Sequence, residues 1–290
     1  MATLNLRRTE NVSGDFYVDT TCIDCDTCRW MTPEVFTREV GMSAVHHQPT
    51  DEKQRLAALQ ALLSCPTASI GTVDKPQDIK DAQSSLPIPV EENVYHCGYH
   101  SEKSYGAASY FIQLPEGNIL IDSPRFTPPL VKRLEQMGGI RYMYLTHKDD
   151  VADHQKFVEH FDCQRILHQE EINSGTRDVE IQLSGEDDYQ LTRELLIITV
   201  PGHTKGHTVL LYKNKFLFTG DHLAWSDRLK QLIAFRNFCW YSWDELYKSM
   251  PKLTNYSFEW VLPGHGRRYN SDAKTMQQEL KKCIEWMKTV

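Results

Sequence analysis

Short apolar runs recur along the last two thirds of the chain, each bounded by polar or turn-forming residues. Asn118–Asp122, Tyr142–Leu145, Arg165–His168, Leu195–Val200, Thr208–Tyr212 and Phe216–Thr219 have strand length and are rich in Ile, Val, Tyr and Phe, so they predict strands. Helices are expected between them. One begins at Pro128–Pro129 and stops at Gly138–Gly139, with proline early and glycine just past the end. Others are expected over Asp153–Phe161, Trp243–Leu253 and Asp272–Met287. Strands mixed with helices in this way predict an α/β or layered αββα domain.

The pattern breaks at residues 72–92, a polar stretch holding Pro76, Pro87 and Pro89 that reads as an interdomain linker. The expected division is a small domain over residues 1–75, a linker over 76–90 and a larger domain over 91–290. No apolar run approaches a membrane span, and the opening MATLNLRRTE lacks the apolar core of a signal peptide. The expectation is a soluble protein with no membrane role, in the cytoplasm, or in the plastid stroma if the source is a plant. A formal net charge of −7 argues against nucleic acid as the main partner, because phosphate contacts need a basic surface. A small-molecule substrate and a redox partner protein are the partners expected.

The cysteines divide unevenly. Cys97, Cys163, Cys239 and Cys283 are scattered and read as ordinary thiols, whereas Cys22, Cys25, Cys28 and Cys65 lie close together in the first quarter. Dense spacing in a chain without a secretory signal points to metal rather than to disulfides. The run CIDCDTCRWMTP follows the spacing C-x2-C-x2-C-x3-C-P of bacterial ferredoxins, but Thr32 stands at the fourth position before Pro33. That position serves a second cluster, so the second cluster has lost a ligand. The remote Cys65–Pro66 supplies the fourth thiolate of the first cluster. A tetrahedral zinc site is the alternative, but such sites pair two short knuckles, not three cysteines in one loop and one apart.

The flanking VDTTCIDCDTCRWMTPEVF and ALLSCPTASIG resemble the single-cluster bacterial ferredoxins over about residues 15–72. The resemblance implies a pseudo-symmetric ferredoxin fold with one [4Fe–4S] cluster on Cys22, Cys25, Cys28 and Cys65.

Four later segments end a predicted strand with metal-ligand residue types. YLTHKDDVADH offers His147, Asp149, Asp150, Asp153 and His154; TVPGHTKGH offers His203 and His207; FLFTGDH offers Asp221; WVLPGHG offers His265. Any one histidine is an ordinary residue, but four such strand ends gathered at one sheet rim make a site. Imidazole and carboxylate suit zinc, iron and manganese. Over residues 90–270 these motifs resemble the metallo-β-lactamase-fold superfamily, in which NILIDSP is similar to the first conserved strand. The resemblance implies an α+β chain: the ferredoxin-like domain, then an αββα sandwich with two divalent metals, zinc, iron or manganese, at one edge.

One departure matters. The family motif T-H-x-H-x-D-H stands here as T-H-K-D-D-V-A-D-H, with Asp149, or Asp150 beside it, in place of the second histidine. The implied ligands are His147, Asp149, His203 and Asp221 for one metal, and Asp153, His154, Asp221 and His265 for the other. Asp153 and Asp221 are the expected catalytic carboxylates. His207 is read as a supporting residue, and His222 has no assigned role. His100 and Lys103 are read as substrate contacts or solvated loop, and the aromatic stretch 235–243 as a pocket wall or interdomain contact. Metal-dependent hydrolysis of an ester, thioester, lactone or phosphodiester is the leading expectation. The alternatives are a redox enzyme, with the cluster feeding a di-iron site, and a cluster-bearing sensor without catalysis.

Overall fold

The structure is a computed structural model that describes residues 2–290. The chain forms two compact units: the residues up to Arg141 together with Ala152–Asp162, and Tyr142–Val151 together with Cys163–Val290.

In the first unit, the strands Phe16–Val18 and Ile70–Thr72 pair antiparallel, and Phe36–Glu39 pairs with Met42–Val45 as a hairpin. The helix Glu52–Ser64 starts at Asp51, whose carboxylate accepts the N–H of Gln54. Its Ala58, Leu59 and Ala61 close a core with Phe16, Val18, Val35, Phe36, Val45 and Ile70. Four strands follow in simple antiparallel succession: Ile88–Glu91, Val94–His96, Tyr110–Ile112 and Ile119–Ile121. The helices Pro128–Gln136 and His154–Phe161 complete the unit.

The stretch expected as a linker is ordered instead. It holds the helix Ile79–Ser84 and enters the strand Ile88–Glu91. Ala82 sits in the ferredoxin-like core, Leu86 is fully buried, and Arg55 grips Asp78 at 2.6 Å. Its polar composition was misleading because one apolar residue per turn suffices where a helix only covers an existing core.

In the second unit, Tyr142–Tyr144, Gln164–His168 and Ile181–Leu183 run parallel. A six-stranded sheet follows in the order Tyr189–Thr192, Leu195–Thr199, Thr208–Tyr212, Phe216–Gly220, Trp260–Pro263, Tyr269–Asn270. Its strands are antiparallel except for the parallel pair Phe216–Gly220 and Trp260–Pro263. Val209, Leu211, Leu217 and Val261 pack against Leu246, Met276, Leu280 and Met287 of the helices Trp243–Ser249 and Ala273–Met287. The helix expected to reach Leu253 turns into a tighter 3-10 segment, Met250–Asn255, where Pro251 has no N–H to donate. No helix among the described residues is long and apolar enough to cross a membrane.

Candidate metal centres

Cys22, Cys25, Cys28 and Cys65 line one pocket with Val18, Ile23, Pro66 and Ile70. Asp24 and Asp26 adopt left-handed backbone angles, which lets the loop wrap round the pocket. Arg29, from the short helix Thr27–Met31, is buried and pinned to Asp26 at 2.5 Å and Asp24 at 2.6 Å. Burial pushes the Cys25 thiol up to about 11 and raises Cys28 further. Thiols so placed ionise only beside a strong local cation, which cluster iron provides. The donor set fits the group. Thr32 caps the same helix and is buried, with no thiol there to serve a second cluster.

The cluster loops are held by residues further along the same unit. Arg125 donates to the carbonyls of Leu63 and Cys65 at 2.8 and 3.1 Å. Tyr105 donates its hydroxyl to the carbonyl of Ile23. Gly106 lies so close that a Cβ there would stand 2.8 Å from Cys25 Cβ.

The second candidate centre lies in the second unit, at the ends of four strands. His147 follows Tyr142–Tyr144, and its Nδ1 is 2.9 Å from the Thr146 hydroxyl. This leaves Nε2 facing Asp149 and Asp221, each at 3.9 Å. His203 Nε2 lies 3.8 Å from Asp149 and 3.7 Å from Asp221. His265 Nδ1 lies 2.8 Å from Asp221, and its backbone N–H donates to the same carboxylate. The donor atoms of His147, Asp149 and His203 lie within 4.8 Å of one another, and so do those of His147, Asp150 and Asp221.

Asp149 and Asp150 were alternatives in the sequence, and the fold brings in both. Asp149 is half exposed and joins the two histidines; Asp150 is buried and turns toward Asp221. Gly264 makes this approach possible, since a Cβ there would meet Asp150 Oδ2 at 2.8 Å and Asp221 Oδ1 at 3.1 Å. Asp153 and His154 fall in the first unit. There Asp153 accepts from Lys103 Nζ at 2.9 Å and from the Phe126 N–H at 3.0 Å. His100 is fully buried among protein groups, so it is neither a substrate contact nor solvated loop.

Sequence reasoning missed Glu171. Its buried carboxylate accepts the N–H of Lys148 at 3.0 Å and of Gly206 at 2.6 Å, fastening the loops that carry His147 and His203. Nothing in the local HQEEIN marks it, because both of its partners are remote in sequence. His207 supports the site from behind, its Nε2 accepting the N–H of Asp221 at 3.3 Å.

Burial pushes His147 down to about 4 and His222 to about 3, and holds His207 well below its ordinary value. Burial opposes ionisation of Asp221, but His265, His147 and His203 outweigh it and hold the carboxyl far below the usual range. His147 is therefore a neutral imidazole at neutral pH and Asp221 an ionised carboxylate, the states that metal binding requires. His147 Nε2 and both ring nitrogens of His203 are buried without a hydrogen-bond partner, as donors awaiting a cation would be.

A pH dependence follows. Histidine in the unfolded chain titrates near 6.5, above these folded values. As pH falls below 6.5, the unfolded state takes up protons that the folded state refuses, so stability is lost down to about pH 4 for His147 and about pH 3 for His222. Metal-free protein should be less stable in urea at pH 5 than at pH 7.5, by roughly 2 kcal/mol from His147 alone. Equal urea midpoints at the two pH values would contradict the neutral buried state.

Comparison with known proteins bears on the cluster-bearing segment by sequence and on the fold of the rest by structure. Residues 18–72 match the family of the 4Fe-4S single cluster domain of Ferredoxin I. Among solved structures, VMB-1 superposes with a TM-score of 0.54 at 19% identity, over 69% of this chain and 95% of its own. The DIM-1 metallo-β-lactamase superposes with 0.53 at 17% identity, over 68% of this chain and 95% of its own. The metallo-β-lactamase from Pontibacter korlensis gives 0.52 at 15% identity, over 70% and 98%. No curated protein sequence matches the chain. The chain thus joins an N-terminal ferredoxin-type single-cluster domain to a metallo-β-lactamase fold.

Proposed function

We propose that the chain is a metal-dependent hydrolase with two metal positions, one on His147, Asp149 and His203 and the other on Asp150 and His265, with Asp221 shared. The observation that carries this reading is the buried, ionised Asp221, which faces His147, His203 and His265 at once. Asp150 replaces Asp153 in this assignment, because the Asp153 carboxylate is engaged by Lys103 and the Phe126 N–H.

Two divalent ions at such a site polarise a carbonyl or phosphoryl oxygen and acidify water. The chain's own groups set how strongly. Three carboxylates offset most of the charge of two divalent ions, so water is acidified less than in an all-imidazole site. They also make the donor set harder, which favours iron or manganese over zinc. Thr146, the Asp221 N–H and Glu171 fix the rings and loops that carry the donors.

A second reading is supported by the cluster's setting. Gly106 and Arg125, outside the ferredoxin-type segment, touch the cluster loops within one compact unit. A cluster built into the fold in this way suits electron delivery to iron, with a redox partner protein as the source.

Metal analysis of anaerobically purified protein separates the two readings. Two zinc atoms beside the cluster, with turnover of ester or phosphodiester substrates, support hydrolysis and exclude the di-iron reading. Iron at both positions, reduced together with the cluster by one reductant, excludes plain hydrolysis.

A further inference from the structure

Three of the four cluster cysteines have a hydrogen-bonding group beside the sulfur. The Thr27 hydroxyl oxygen lies 3.4 Å from Cys25 Sγ, the Ser43 hydroxyl 3.3 Å from Cys28 Sγ, and the Ser69 N–H donates to Cys65 Sγ at 3.2 Å. As cluster ligands these sulfurs are thiolates and can only accept. Donors to cluster sulfur favour the more negative, reduced state and raise the reduction potential.

The Ser69 N–H is fixed by the backbone, but a hydroxyl has one proton and must be aimed. Ser43 accepts from Arg29 Nη1 at 2.9 Å, and Arg29 has nothing to accept with, so the Ser43 proton is left for Cys28. Thr27 has a competing acceptor, the carbonyl of Gly106 at 3.3 Å. That carbonyl lies 2.6 Å from His100 Nδ1 and can only accept, so Nδ1 carries the hydrogen. The same Nδ1 is 3.2 Å from the Thr27 oxygen. That N–H takes one lone pair of the rival carbonyl and approaches the Thr27 oxygen from the same side, so the Thr27 proton is favoured to point away from it, toward Cys25. The tautomer is held from the other side: with Nδ1 protonated, neutral His100 accepts at Nε2 from His96 Nε2, 2.7 Å away. Both rings are fully buried and lie against Trp30.

We propose that Thr27 sets the reduction potential of the cluster, and that His100, held by His96, is the positioning residue that aims the Thr27 hydroxyl at Cys25. The potential is then tuned from residues 96–106, outside the ferredoxin-type segment 18–72. This inference rests on the four-cysteine [4Fe–4S] reading.

The test is an anaerobic potential titration of the full-length protein, followed by EPR, with iron and sulfide counted in every sample. Thr27→Val and His100→Phe should each shift the cluster to lower potential. The double variant should go no lower than Thr27→Val alone, and Thr27→Ser, which keeps the hydroxyl, should stay near the parent. In the unsubstituted protein, exchange into D2O should shift an Fe–S stretch in the resonance Raman spectrum, a readout that does not depend on any variant folding. An unchanged potential in Thr27→Val, additive shifts in the double variant, or no isotope shift in the parent would each overturn the proposal. A parent protein that binds no cluster at all fails the underlying reading instead, and the iron and sulfide counts show which has happened.

Discussion

Asp221→Ala is expected to lose both metals of the second centre and at least about a hundredfold in metal affinity, since even supporting residues of metal sites cost 10- to 100-fold. The carboxylate stands 2.8 Å from His265 and 3.7 to 3.9 Å from His203 and His147, so its removal opens both candidate positions together. Activity should fall by roughly a thousandfold or more, because one group orients donors for both metals of a two-metal site. Asp150→Ala should behave similarly, being buried beside Asp221. Asp149→Ala should be milder, since its half-exposed place is one that water can fill. Asp153→Ala separates the sequence motif from the geometry: it should keep its metals, losing only contacts to Lys103 and Phe126. Metal counted per chain after gel filtration checks all four variants. Full occupancy in Asp221→Ala would defeat the assignment, and metal loss in Asp153→Ala would restore the motif's ligand.

Gly106→Val should empty the cluster site. The backbone there has φ +86°, and an added Cβ would meet Cys25 Cβ at 2.8 Å, its Sγ at 3.1 Å and Pro66 at 3.2 Å. None of these atoms ends a long flexible side chain. Left-handed strain costs about 1–2 kcal/mol and overpacking about 1–3 kcal/mol, enough to displace a ligand loop. Gly41→Ala is the control, with φ +78° and nothing within 4 Å of the new Cβ. It should keep its iron and sulfide, paying only the backbone strain of about 1–2 kcal/mol. A fully loaded Gly106→Val protein with unchanged thermal stability would show that the loop is free to move away.

Much of the architecture is legible in local pattern. The strand Thr208–Tyr212 appears with the bounds its apolar run predicts, and Leu195–Thr199 and Phe216–Gly220 differ by one residue. Thr208–Tyr212 and Phe216–Gly220 are buried along their whole length and Leu195–Thr199 at all but Leu196, so few positions are free to be polar and the runs stand out. The short strands Val94–His96 and Tyr110–Ile112 were not anticipated, because three residues between polar loops leave no periodicity to read. The ordered segment Ile79–Glu91 was hidden by the same brevity, its few core residues outnumbered by polar ones.

The sequence by itself determined the chemistry: four thiolates with Thr32 where a second cluster's ligand would stand, and histidines and aspartates following apolar strands. These are properties of residue type and close spacing, which a chain displays before it folds. Only the tertiary structure decided which donors meet. It turned neighbouring Asp149 and Asp150 to different partners, engaged Asp153 with Lys103, placed Glu171 across two loops, and set His100 beside Thr27. Each of these outcomes depends on contacts between segments far apart in sequence, where loop closure and close packing select the partner and local pattern carries no trace of it.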